Sequence, residues 1–210
     1  MRATWYFDLI SPYAYLHLRQ FDRLPAGLEV EYVPVLFAGL LKAHGHKGPA
    51  EIPEKRRHTY RNCVWLAHQH GIALRFPPAH PFNPLHALRL LVAAGATPDH
   101  VDAAFSAIWE RGEDINAPAS LAALAARLGV ADPQAALAAP AVKAALAANT
   151  ERAIARGVYG VPTFEVGGEL FWGADSLDMM RAFIADPALF GQGEYARVDC
   201  LPAAAMRKEA

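Results

Sequence analysis

Apolar residues along this chain follow a strand-like pattern near each end and a helical pattern through the long stretch between. The first run, residues 3–10, holds Trp5, Tyr6, Phe7, Leu9 and Ile10, with one polar break at Asp8. Short continuous apolar runs of this kind fill the centres of sheets, so it reads as a buried strand. It stops at Ser11-Pro12. Serine is a strong N-cap, and proline suits the first helical turn because its missing N–H needs no partner there. A helix is therefore predicted over 12–23, ending before Pro25-Ala26-Gly27. Leu28, Val30 and Tyr32 alternate and predict a second strand over 28–35. Strand, helix and strand with a short return form a βαβ unit with parallel strands.

The stretch that follows is helical in pattern and too long for a loop. Tyr60, Cys63, Val64 and Ala67 stand at i, i+3, i+4 and i+7, which predicts a helix over 54–70 with these four on its inner face. Further helices start at Asn83-Pro84, Thr97-Pro98, Asp132-Pro133 and Pro140, and Leu121, Leu124, Ala125 and Leu128 mark another. Gly95, Gly129 and Gly157 close three of them. Strand pattern returns over 163–172, split by Gly167-Gly168 into a β-hairpin. Asp175 is expected to cap a last helix running to Asp186, with Leu177, Met180 and Ile184 inward. After Pro187 no element is assigned, and residues 203–210 are expected to fray.

With 53% hydrophobic and 20% charged residues in 210, the chain can bury a sizeable core. Its formal net charge of −1, without a long run of one sign, argues against a nucleic-acid partner. Lys55-Arg56-Arg57-His58 is either a solvated helix face or an anion site. No stretch approaches the roughly 20 apolar residues of a membrane span, and no signal-peptide pattern opens the sequence. Cys63 and Cys200 lie far apart without a CxxC, and Cys63 reads as helix packing. A cytoplasmic setting is expected. His44 with His46, and His68 with His70, lack the spacing and partners of a zinc site, so no metal is expected.

The order of elements is that of a thioredoxin-like α/β domain with an inserted all-helical domain. The expected division is 1–36 and 158–187 for the split domain, 37–157 for the insert and 188–210 for a tail. In that fold the turn at Ser11 holds the reactive cysteine pair. Here it reads Ser11-Pro12-Tyr13-Ala14. With no thiol, dithiol chemistry at this turn is excluded. Ser11 is then a plain helix cap or a hydroxyl offered to another molecule's thiolate. Pro162, just before the third strand, is expected to be cis, leaving the Val161 backbone free to pair with a peptide. The plainer alternative is a rigid turn.

SPYAYL after a strand, KAHGHKGP (Lys42 to Pro49), IPEKRR (Ile52 to Arg57), GVPTF (Gly160 to Phe164) and FWGADSL (Phe171 to Leu177) follow one another in this order. On this ordered set the chain, over about residues 3–186, resembles the 2-hydroxychromene-2-carboxylate isomerase family. That family is related to kappa-class glutathione transferases and to the DsbA-like branch of thioredoxins. The resemblance implies glutathione as cofactor, a small aromatic carboxylate as substrate and a homodimer. It implies that Ser11 hydrogen-bonds the glutathione sulfur as the catalytic hydroxyl, and that Val161, beside Pro162, pairs with the cysteinyl backbone. Trp172, Gly173, Ala174 and Asp175 would hold the γ-glutamyl end, with Asp175 on its ammonium. Lys55 would approach the glycyl carboxylate, and Lys42 the substrate carboxylate. His46 stands where relatives often carry Asn. Phe82 and Asn83 are pocket lining or, equally, core packing and helix capping. A kappa-class-like transferase and a redox-inactive binding or chaperone module are the alternatives.

Overall fold

The structure, a computed structural model, describes residues 1–205. Of the end expected to fray, residues 206–210 therefore lie outside the described residues. Four strands form one sheet in the order β2-β1-β3-β4: β1 Arg2–Phe7, β2 Glu29–Pro34, β3 Thr163–Val166 and β4 Glu169–Trp172. β1 runs parallel to β2 with Trp5 opposite Tyr32, and antiparallel to β3 with Trp5 opposite Phe164. Gly167 and Gly168 turn the β3–β4 hairpin at φ 60° and 93°, where both central residues need the left-handed region. The expected strand over 3–10 thus ends at Phe7, because Asp8 to Ile10 leave the ladder to form the turn before Ser11.

Ten α-helices accompany this sheet among the described residues. α1 spans Pro12–Leu18, and the expected helix to 23 breaks there into a 3-10 turn at Phe21–Arg23. Between β2 and β3 come α2 Phe37–Ala43, α3 Pro53–Gln69, α4 Leu85–Ala93, α5 Pro98–Phe105, α6 Pro118–Arg127, α7 Pro133–Ala138 and α8 Pro140–Ala155. A π-helical turn, Ser106–Glu110, prolongs α5. After β4 a tight turn at Ala174–Ser176 leads into α9 Leu177–Ala185. The tail is more ordered than its sequence suggested: α10 spans Gly193–Asp199, and Phe190 ahead of it stacks on Phe183 with centroids 5.2 Å apart. No described helix is long and apolar enough to cross a membrane.

β1 is buried on both faces. Ala3, Trp5, Phe7 and Leu9 face the main core, with Tyr15, Leu88, Phe105, Trp109 and Phe164. Tyr6 faces a second cluster with Val33, Val35, Leu40, Ala153, Val158 and Val161, through which α2 and α8 cover the other side of the sheet. This double cover explains why β1 reads as an apolar run rather than a clean alternation.

Candidate active site

The site is built around the turn from β1 to α1. Ser11 caps α1, its Oγ accepting the Ala14 N–H at 3.2 Å. The same Oγ lies 3.5 Å from the carbonyl oxygen of Val161, at the long limit of a hydrogen bond. That weak engagement leaves the hydroxyl proton able to turn towards a ligand. The Val161–Pro162 bond is cis, as its place before β3 suggested. No hydrogen bond from the Val161 N–H to another described residue is formed. The Pro162 carbonyl accepts the Gly173 N–H at 2.9 Å, which draws the segment Trp172 to Asp175 against the Val161 loop. The Trp172 indole covers Gly160 so closely that a Cβ there would sit 2.5 Å from Nε1. Trp172 is half exposed and packs beside Tyr159, centroids 5.3 Å apart.

α3 forms the facing wall. The Tyr13 hydroxyl donates to Asn62 Oδ1 at 2.9 Å, and Cys63 is buried next to it. Burial and then the neighbouring Cys63 raise the Tyr13 hydroxyl above its ordinary pKa, and the charge of Asp175 adds to the shift. Burial likewise pushes the Cys63 thiol up to about 12, so it stays protonated. Lys55 lies seven residues before Asn62, roughly 10 Å along the helix axis. It is exposed and lines a cleft of about 420 Å³ with Pro49, Glu54, His58 and Thr59. A second cleft of about 490 Å³ follows α3 past Tyr60, Arg61, Val64, Trp65 and Phe76. Neither cleft is lined by Ser11.

Lys42 and His46 lie on a different segment, and no hydrogen bond or ion pair joins either of them to Ser11 or Val161 among the described residues. Both are exposed at the end of α2. His44, between them, places its Nε2 3.1 Å from the Val158 carbonyl, three residues before Val161. Phe82 is half-buried, and Asn83 is exposed and forms a turn just ahead of α4, whose N-cap is Pro84. Phe82 packs at 5.9 Å from His80 and 6.1 Å from Trp109. Asn83 Oδ1 accepts the Leu85 N–H at 3.0 Å, while its backbone pairs twice with the Asn116 side chain.

Four residues outside the expected set hold the Ser11 turn and its surroundings. Asp8 is buried, with Oδ1 accepting from Ile10 N at 3.0 Å and Oδ2 from Phe37 N at 2.9 Å. It therefore ties the Ser11 turn to the start of α2. Burial pushes its carboxyl up to about 7 against the lowering effect of these N–H donors. Trp109 Nε1 donates to the Leu9 carbonyl at 2.8 Å, and His80 Nε2 lies 2.9 Å from that of Ile10. His44 is the fourth. Of these, Asp8 left a signal as the polar break in an apolar run and His44 lies within the KAHGHKGP motif, while nothing local pointed to His80 or Trp109 as holding this turn.

The Ser11 hydroxyl thus stands on the β1–α1 turn, beside Val161 and Pro162 and across from α3. The profile of the DSBA-like thioredoxin domain matches residues 4–185. The chain belongs to the DsbA-like thioredoxin family. Its relatives include proteins named as 2-hydroxychromene-2-carboxylate isomerases and as kappa glutathione S-transferases. It is 29% identical to the 2-hydroxychromene-2-carboxylate isomerase of Pseudomonas putida over 191 residues, covering 87% of this chain and 93% of the relative. It is 27% identical to human glutathione S-transferase kappa 1 over 202 residues, covering 86% and 89%. A solved 2-hydroxychromene-2-carboxylate isomerase superposes with a TM-score of 0.77 at 25% identity, over 91% of this chain and 98% of that one. The resemblance read from the ordered motifs is thus borne out. This DsbA-like domain carries Ser11, and no thiol, at the turn from β1 to α1.

Proposed function

We propose that this protein is a glutathione-dependent isomerase interconverting 2-hydroxychromene-2-carboxylate and trans-o-hydroxybenzylidenepyruvate. The observation that carries the reading is the Ser11 hydroxyl, held 3.5 Å from the Val161 carbonyl on a turn that has no thiol of its own. The residues present suit glutathione: a hydroxyl for the sulfur, a Val161 N–H without a partner among the described residues, a carboxylate at Asp175 and a cation at Lys55. When bound, glutathione supplies a thiolate that adds reversibly to the conjugated double bond and so permits its rotation.

The chain's own residues do the rest. Ser11 donates to the sulfur and favours its ionised form, a charge-assisted bond. Val161 pairs with the cysteinyl backbone. Gly173 and Ala174 let Trp172 and Asp175 close on the γ-glutamyl end, and Lys55 meets the glycyl carboxylate. Lys42, with His46 beside it, holds the substrate carboxylate and stabilises negative charge that develops on the adjoining oxygen. On this reading the cleft lies between a domain split as 1–36 and 158–187 and a helical insert, 37–157. The same reading has the enzyme acting in the reducing cytoplasm as a homodimer. Two unpaired cysteines, one buried and one exposed, suit that compartment.

The test is isomerisation by purified protein with glutathione well below the substrate concentration. Many turnovers per glutathione, with free thiol conserved, are expected. Loss of thiol in step with product would identify a transferase instead. Full activity without any thiol would defeat the mechanism.

A further inference from the structure

Ser11 follows two carbonyls that are each held by a side chain from between β2 and β3. Trp109 holds that of Leu9, and His80 that of Ile10. A carbonyl only accepts, so His80 Nε2 carries a proton. In the neutral ring Nδ1 is then the acceptor. The Tyr60 hydroxyl lies 2.7 Å from that Nδ1 and 2.7 Å from His80's own carbonyl. Its single proton serves one of these two acceptors at a time, and when turned to Nδ1 it favours the tautomer that Ile10 requires. The ring is also set edge-on between Tyr60 and Trp109, with centroids 5.3 Å and 5.4 Å away at 65° and 67°, so it has little freedom to turn. Burial lowers its pKa and keeps it neutral.

We propose that His80 is a positioning residue for Ser11, with Tyr60 setting its tautomer. By holding the Ile10 carbonyl, the imidazole keeps the next residue in its capping geometry, with the hydroxyl beside Val161. Tyr60 belongs to α3, the helix that carries Lys55 and Asn62. The pair thus couples the wall of the cleft to the hydroxyl that would meet sulfur. Its consequence for catalysis rests on the glutathione reading above, while the positioning itself does not.

Three variants separate the possibilities. His80→Gln offers an amide N–H and a carbonyl oxygen in place of the two ring nitrogens. His80→Leu offers neither, and Tyr60→Phe removes only the hydroxyl that faces Nδ1 and the His80 carbonyl. Amide hydrogen exchange, measured without glutathione, is expected to speed up roughly tenfold at Ser11 and Ala14 in His80→Leu. The β3–β4 hairpin should be unaffected, Gln should restore most of the protection, and Tyr60→Phe should lie between. Titrating the ultraviolet absorbance of bound glutathione thiolate should give a raised thiol pKa in His80→Leu, and kcat should fall more than KM changes. Wild-type exchange at Ser11 and Ala14 in His80→Leu, or equal behaviour of the Leu and Gln variants, would overturn the proposal. If His80→Leu does not fold, Tyr60→Phe decides by the same exchange measurement. A wild-type protein that leaves the thiol pKa of glutathione unshifted would defeat the glutathione reading, and exchange would still decide for His80.

Discussion

His17 lies on α1 among Trp5, Phe21 and Phe164, and neither of its ring nitrogens has a hydrogen-bond partner among the described residues. An imidazolium there would have neither water nor a counter-charge, so burial pushes its pKa down from 6.5 to about 3. Between those values the unfolded chain binds the proton and the folded chain does not. The stability that His17 contributes is therefore complete above about pH 6.5 and is lost as pH falls towards 3. His17→Leu removes this titration and the unpartnered nitrogens with it. Denaturant unfolding of the variant should depend less steeply on pH between roughly pH 6 and pH 4, by at most about 1.4 kcal/mol per pH unit. Parallel curves would show that the charged ring finds a partner. His17 carries no local signal of this burial, standing between Leu16 and Leu18 in α1. Ser11 is the opposite case, because its place before Pro12 and after a strand already marked it.

At the scale of elements, helix starts were readable because the first turn has local chemistry. Proline stands at the first turn of six α-helices, and Ser11, Thr97 and Asp132 each accept an N–H as side-chain caps. α9 departs from this. Asp175 sits inside the tight turn rather than capping, and α9 begins after Ser176, which makes no capping bond. The chain arrives there through Gly173 at φ 94° and ψ 157°. Side chains are excluded from that region at a cost of about 1–3 kcal/mol. A Cβ on Gly173 would also stand 2.5 Å from Asp175 Oδ1. Gly173→Ala should lower the melting temperature and displace the Asp175 carboxylate, so calorimetric titration should show weaker glutathione binding. Unchanged affinity in a destabilised variant would remove this segment from the cofactor site. α3 shows another limit of pattern. Its period is right, and Cys63 and Ala67 are buried, but Val64 is 51% exposed and Trp65 57%. Periodicity tells which residues share a face, not how far a neighbour covers it.

At the scale of the whole molecule, α2, the helix that carries Lys42, is tied down at both ends. Asp8 holds the Phe37 N–H at the start of the helix, and His44 reaches the Val158 carbonyl at its end. On the isomerase reading, Lys42→Met keeps the apolar stem and removes the cation. It should lower kcat/KM for the chromene by roughly 10- to 100-fold, the range of a charged hydrogen bond, and leave glutathione affinity nearly unchanged. Steady-state kinetics beside calorimetry test this split. Wild-type kinetics would return Lys42 to the ordinary surface.

The sequence by itself determined the order of elements, the parallel βαβ start, the hairpin at Gly167-Gly168 and the absence of a thiol at the turn. Each depends on residues a few positions apart, whose sterics and hydrogen bonding act locally. Only the tertiary structure decided what holds that turn. Trp109 is 98 residues from Ser11 along the chain, His80 is 69 away, and Tyr60 reaches Ser11 only through His80. Periodicity placed Tyr60 on the inner face of its helix, but nothing local marks its pairing with His80 or the carbonyls that His80 and Trp109 hold, because these partners come within hydrogen-bond reach only when the helices close over β1.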